Sequence, residues 1–157
     1  MRLQRFPIDL KQSSIKMMKK TVLALVSLGF ALNVQAFDKT QVNLANEFWG
    51  TWTVYNAKTQ CTESYQFTKP DQFIYSTKQK RMTGEFAVLR NQNAQALDVL
   101  AMKVKADNKK AGCGGEPVDY TDVDVRLSLK WVSAKTAELC TDREGKQCTG
   151  LYLIKQK

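Results

Sequence analysis

The sequence has 157 residues, no histidine, four cysteines and a formal net charge of +9 at pH 7. Without histidine the chain lacks the most frequent general base and metal ligand. No Gly-x-Ser-x-Gly, phosphate-loop or His-Glu-x-x-His motif occurs either. We therefore expect a non-enzymatic protein with no catalytic residues, no metal and no cofactor.

Residues 1–36 have the pattern of a secretory signal peptide. Lys19-Lys20 precedes a short apolar run over 22–32, and Val34-Gln35-Ala36 provides small residues before a cleavage point after Ala36. The run is shorter than the roughly 20 residues of a membrane-spanning helix, so we expect no stable membrane insertion. The pattern predicts a bacterial envelope protein, periplasmic or secreted.

The predicted mature chain, residues 37–157, is long enough for one domain with one hydrophobic core. Met17 or Met18 is a natural translation start, in which case residues 1–16 are an overcalled start. The removed part holds six Lys/Arg and one acid, so the mature net charge is +4. An excess this small does not indicate a nucleic-acid-binding protein.

The mature chain has the pattern of an all-β domain. A short helical turn is expected within 38–46, and from Glu47 onward apolar residues alternate with period two between turns. A long polar loop over 105–117 separates the fifth and sixth strands, and Gly84 marks a bulge in the fourth. The eight predicted strands are about 47–55, 61–68, 72–77, 81–90, 97–105, 118–132, 136–141 and 147–154. They predict an eight-stranded antiparallel up-and-down β-barrel.

The four cysteines predict two disulfide bonds, because an even number in an exported domain is typical of disulfides. Arg143-Glu144-Gly145 fits a three-residue hairpin loop, and a hairpin centred on Glu144 puts Cys140 opposite Cys148. Elimination then pairs Cys61 with Cys113, which ties the long loop to the second strand. Zinc bound by four thiolates is the alternative, but the chain has no Cys-x-x-Cys.

The first predicted strand contains Gly50-Thr51-Trp52 after a short helical lead-in. With the strand count and the export signal, this motif resembles the start of the lipocalin and avidin superfamily. The resemblance implies that Gly50 bends the backbone and that Trp52 closes one end of the barrel. In lipocalins an arginine from the final strands packs over this tryptophan, whereas predicted strands seven and eight contain none.

Large aromatic residues on the predicted inward faces suggest a binding site for a small hydrophobic ligand. A barrel of this size either fills with side chains or holds one small ligand, and so many large residues favour filling. A carrier needs a cavity on the order of 300 Å³ or more. The candidate wall residues are Trp49, Tyr55, Tyr75 and Trp131. The alternative function is an interaction module (inhibitor, chaperone or adaptor) with a filled barrel, acting on another exported protein through loop 105–117.

The sequence contains an acidic group and a basic group of residues, and each could be either a binding site or ordinary charged surface. The acidic group could offer oxygens to Ca²⁺, but we favour cross-strand ion pairs with Lys103 and Lys105. The basic group could bind an anionic partner, but we favour ordinary exposed side chains. The acidic group is Glu116, Asp119, Asp122 and Asp124. The basic group is Lys78, Lys80, Arg81, Lys103, Lys105, Lys109 and Lys110.

Overall fold

The computed structural model describes residues 37–157, so the predicted signal peptide lies outside the described residues and stays a prediction. A 3-10 turn at Lys39–Gln41 and helix α1 at Leu44–Glu47 precede the strands, as expected. No helix in this part of the chain is long and apolar enough to cross a membrane. The strands are β1 Gly50–Asn56, β2 Cys61–Thr68, β3 Gln72–Ser76, β4 Arg81–Leu89, β5 Asp98–Asp107, β6 Asp124–Ser133, β7 Thr136–Cys140 and β8 Cys148–Lys155.

The eight strands form a closed antiparallel barrel in sequence order, which confirms the predicted fold class. Each strand pairs with its neighbour in the chain, and β8 closes the barrel on β1, where Trp52 lies opposite Lys155. Alternation along the strands sets the core. In β5, Leu100, Met102 and Val104 are buried inside the barrel, while the residues between them are more exposed.

The bulge predicted at Gly84 is present. The register of β4 against β5 shifts between Thr83 and Gly84. A Cβ at position 84 would lie 2.0 Å from the carbonyl oxygen of Lys103, so no residue with a side chain fits without moving the backbone. Glycine therefore allows β5 to approach β4 closely at the bend.

Strand β6 is shorter than predicted, because the alternating pattern continues into the loop before it. Residues 118–123 were expected in the strand, but Asp122 has a φ of +63° and interrupts the regular pairing, although Asp122 and Val123 still form backbone hydrogen bonds with Val104 of β5. Val123, expected inside, is 39% exposed. The connection between β5 and β6 therefore runs over 108–123 and is longer than the predicted loop.

Both disulfide bonds pair as the hairpin register predicts, Cys61 with Cys113 and Cys140 with Cys148. The loop between Cys140 and Cys148 is longer than three residues, and the Asp142 carboxylate accepts hydrogen bonds from two of its amides. All four sulfurs are bonded, so they offer no thiolate to zinc. Two disulfides indicate that the protein resides in an oxidising compartment.

Candidate ligand-binding cavity

One end of the barrel is filled by aromatic side chains. The Phe48 ring lies 5.2 Å from Trp52, and Phe67 lies 4.5 Å from Phe86, between ring centroids. Trp131 meets Trp52 edge-on at 6.2 Å. The prediction of a filled barrel is therefore right for this end, which we call the closed end.

Trp52 is fully buried at the closed end and is held from two sides. Its indole Nε1 donates a hydrogen bond to the carbonyl oxygen of Phe48 at 2.8 Å. The Lys155 ammonium lies 5.8 Å from the Trp52 ring centroid and also donates to the carbonyl of Glu47. A lysine of β8 thus supplies the cation over the ring, where the sequence offered no arginine.

A buried carboxylate fixes the strands around the closed end. Asp98 has no exposed surface, and it accepts hydrogen bonds from Trp131 Nε1 at 3.0 Å and from Arg90 Nε at 3.1 Å. Lys39 lies 3.7 Å from the same carboxylate. Because Trp131 belongs to this network, it is a structural residue at the closed end and does not line the cavity described next.

The other half of the barrel encloses a cavity of about 480 Å³. On β2 and β4, which run in the same direction, the cavity residues come before the plug residue of the strand: Tyr65 before Phe67, and Met82 before Phe86. The cavity therefore lies at the opposite end of the barrel. This volume is within the range of small-molecule sites. The barrel is therefore not filled throughout. The lining residues are Glu63, Tyr65, Phe73, Tyr75, Lys80, Met82, Met102, Val104, Gly112, Cys113, Gly114, Glu116, Val118, Tyr120, Val125 and Leu127.

The cavity has an apolar interior and a polar rim. Phe73, Met102 and Val104 are buried side chains of its wall. Glu116 and Tyr120 also line it but are exposed to solvent, so the cavity opens beside loop 108–123. An apolar chamber with a few polar groups at one side is the usual arrangement of a site for a small organic ligand.

Two tyrosines and one carboxylate meet at the polar side. Tyr65 donates a hydrogen bond from its hydroxyl to the Glu63 carboxylate at 2.9 Å. Burial, and then the negative charge of Glu63, raise the pKa of both Tyr65 and Tyr75 above the usual tyrosine value. A tyrosine hydroxyl is already protonated at neutral pH, and the raised pKa values keep both hydroxyls protonated at higher pH as well, so each can donate a hydrogen bond.

Lys80 holds loop 108–123 over this end. Its side chain is only 3% exposed, so it is not the surface lysine that the basic cluster predicted. The ammonium lies 2.8 Å from Asp107 and donates to the carbonyl oxygens of Val118 at 2.6 Å and Lys110 at 3.3 Å. These contacts, together with the Cys61–Cys113 bond, fasten the loop to the barrel at several points.

Of the four predicted wall residues, only Tyr75 lines the cavity. Tyr55 is 57% exposed on the outer face of β1, because the inward positions there are Trp52 and Val54, so its placement in the wall is wrong. Trp49 packs edge-on against Phe86 at 5.5 Å, beside the closed end. Its placement in the wall is also wrong.

The sequence interpretation missed Glu63 and Lys80. Glu63 could have been found, because it shares the inward parity of Tyr65 and Phe67 on β2. Lys80 gives no such signal. It is the last residue of the turn between β3 and β4, and this polar turn has the composition of an ordinary exposed loop. Its burial depends on Asp107, which lies 27 residues away in sequence.

Several other residues of the acidic and basic groups form ordinary surface ion pairs. Lys103 lies 3.7 Å from Asp124, as favoured from the sequence, and Lys109 lies 2.9 Å from Asp119. The hydrogen bonds from Thr121 and Lys109 lower the pKa of Asp119. In the described part of the chain, the Glu138 carboxylate lies close to the sulfurs of Cys140 and Cys148, a spacing that could suit a metal ion. Both sulfurs are bonded to each other in a disulfide, so they are not free to bind one.

The stability of the loop attachment is expected to depend on pH through Asp107. Burial raises the pKa of this carboxyl, but hydrogen bonds from Lys80 and from the amides of Tyr120 and Lys109 outweigh it and lower the pKa. The carboxylate therefore stabilises the fold above its unfolded pKa of about 3.9, and this contribution is lost as the pH falls below that value.

Urea unfolding of the wild type and Asp107→Asn at pH 7 and pH 3 checks this dependence. We expect the variant to be less stable at pH 7 and the difference to shrink at pH 3. An equal difference at both pH values would contradict the assigned charge state.

Comparison with known proteins does not assign a family. No protein-family model matches the chain, and no curated protein or solved structure shows significant similarity to it. The function is therefore inferred from the cavity and the residues around it.

Proposed function

We propose that this chain is an exported, non-enzymatic binding protein that holds a small hydrophobic ligand inside a lipocalin-like barrel, in the periplasm or outside the cell. The observation that carries the proposal is the cavity of about 480 Å³ with a buried apolar wall. It exceeds the roughly 300 Å³ at which small-molecule sites begin. The two disulfides and the export signal in the sequence support the location.

The lipocalin relationship is part of the same proposal. It is supported by the eight-stranded barrel, by the left-handed Gly50 at φ +109° and by the buried Trp52 beneath a β8 cation. It is also supported by the short helical segment before β1, whose neighbours Val42 and Phe48 are buried. The open cavity lies at the end away from this tryptophan.

Filling the cavity tests the proposal. Met82 lines the cavity from β4, so Met82→Trp should occupy part of its volume. We expect this variant to bind N-phenyl-1-naphthylamine, a neutral dye that fluoresces in apolar surroundings, at least about tenfold more weakly than the wild type, because the pocket no longer accommodates it. Fluorescence titration measures the affinity.

Ile74→Trp is the matched control, because Ile74 lies on the outer side of neighbouring β3, between the buried Phe73 and Tyr75. It should bind the dye as the wild type does. Equal dye binding by the two variants, or no dye binding by the wild type, would overturn the proposal.

A second candidate function is the protein–protein interaction module. It is favoured by exposed apolar side chains on the outside of the barrel, among them Tyr55 at 57%, Val132 at 52% and Ile154 at 44%. Tyr55 and Ile154 lie on the paired strands β1 and β8, and neighbouring exposed apolar side chains can mark a contact surface. If this is the function, a Tyr55→Ser and Ile154→Ser double variant should lose its protein partner while keeping its dye affinity.

A further inference from the structure

Glu63 is a carboxylate that lines the cavity and has no ion-pair partner in the described part of the chain. It occupies an inward position of β2 between Cys61 and Tyr65 and lines the cavity wall. Among residues 37–157, no lysine or arginine forms an ion pair with it. A charge in partly apolar surroundings is costly when it is unpaired, so a cationic partner is favoured there.

The hydroxyl next to Glu63 does not neutralise its charge. Tyr65 donates one hydrogen bond to it at 2.9 Å, and the neutral Tyr75 hydroxyl is a second partner. An ionised carboxylate has about four lone-pair sites, so it can accept further bonds from a ligand. Tyr65 therefore orients the carboxylate and leaves it able to bind a donor.

Within residues 37–157, the ammonium in the cavity wall belongs to Lys80, and all of its protons are already in use. Lys80 has three protons, and these face both oxygens of Asp107 and the carbonyl oxygens of Lys110 and Val118. The Tyr120 ring covers it, with the ammonium 4.9 Å from the ring centroid. Lys80 thus has no proton left for an anionic ligand, such as a fatty-acid carboxylate.

The charged groups that remain at the cavity are Glu63 within it and Glu116 at its rim. Together with the apolar wall, they favour a ligand with a positive head and an apolar tail. We propose that the cavity binds a cationic amphiphile, with its ammonium on Glu63 and its tail against Met82, Met102 and Val104. This proposal rests on the proposed ligand-binding function.

Three ten-carbon compounds that differ only in the head group test the proposal. Decylamine is cationic, decanol neutral and decanoate anionic at pH 7.5, and each is titrated against bound N-phenyl-1-naphthylamine on the wild-type protein. We expect decylamine to displace the dye at about tenfold lower concentration than decanoate, because only the amine makes a charge-assisted hydrogen bond to Glu63.

Glu63→Gln removes the charge with little change of shape. In this variant, the concentrations of decylamine and decanoate that displace half of the dye should lie within about twofold of each other. The concentration of decanol that displaces half of the dye should not change. Glu85→Gln is the matched control, since Glu85 is an exposed carboxylate that pairs with Lys105. It should keep the preference of the wild type.

The outcomes separate the two proposals. If the dye and decanol bind but decylamine is no better than decanoate, the cationic head group is wrong and the ligand-binding function stands. If the preference persists in Glu63→Gln, the assignment to Glu63 is wrong. If neither the dye nor any of the three compounds binds the wild type, both proposals fail.

Discussion

Lys80→Met is expected to lower the free energy of unfolding by about 3 kcal/mol. Methionine keeps most of the side-chain volume but removes the ammonium, which leaves the Asp107 side chain, with 0% exposure, without its ion-pair partner. Removing one partner of a buried pair costs about 3–5 kcal/mol. We expect the lower end, because this pair lies near the rim of the cavity. Equilibrium unfolding in urea measures the change.

Two controls identify the cause. Lys78→Met removes an exposed lysine two residues away and should change the stability by less than about 0.5 kcal/mol. Adding Asp107→Asn to Lys80→Met should restore part of the loss, because it removes the unpaired charge. If Lys80→Met is no less stable than Lys78→Met, Lys80 does not fasten loop 108–123 to the barrel.

Trp52→Ala is expected to lower the free energy of unfolding by about 3–5 kcal/mol. Trp52 has no exposed surface, and its loss leaves a void among Phe48, Trp131 and Lys155. Replacing a buried tryptophan with alanine removes both the transfer free energy and the packing around the new cavity. Thermal and urea unfolding measure the loss.

Tyr55→Ala provides the comparison on the same strand. Tyr55 is 57% exposed on the outer face, so this variant should lose less than about 1 kcal/mol. The dye affinity of Trp52→Ala is a second test, measured at a temperature where this variant remains folded. It should stay within about threefold of the wild-type affinity, since the cavity lies at the other end of the barrel. A stable Trp52→Ala protein that has lost dye binding would place the ligand at the closed end instead.

The architecture could be predicted because alternation along a strand is a local property. Tyr65 and Phe67 on β2, and Phe73 and Tyr75 on β3, repeat every second residue and are all buried. The pairing of Cys140 with Cys148 followed from one glycine-containing turn. Such features depend on a few neighbouring residues, so they can be derived from a single sequence.

The division of the barrel into a filled end and an open end could not be predicted in the same way. Alternation shows that Trp131 and Leu127 both face inward, but only the strand register shows that Trp131 joins the plug while Leu127 lines the cavity. Register depends on pairing between distant segments. The burial of Lys80 and Asp98 likewise depends on partners brought together by the closed barrel.

Two errors in the predicted cavity wall arose because aromatic character was preferred to the inward or outward position of a residue along its strand. Tyr55 follows the inward Val54 and therefore faces out, although its ring looked suitable for a ligand wall. Glu63 has the inward parity of Tyr65 and lines the cavity, although only aromatic residues were predicted for its wall. In this barrel the inward polar residue Glu63 therefore belongs to the cavity, whereas the outward aromatic residue Tyr55 does not.

Binding of a small apolar ligand inside the cavity can be followed directly on two methionines. Met82 and Met102 are the only methionines within 37–157, and both line the cavity. Carbon-13 labelling of the methionine methyl groups, with each signal assigned by replacement with leucine, allows both sites to be followed by NMR while decanol is added. We predict that both methyl signals shift and saturate together at the affinity measured by dye displacement. Saturable binding of decanol that leaves both signals unmoved would contradict it.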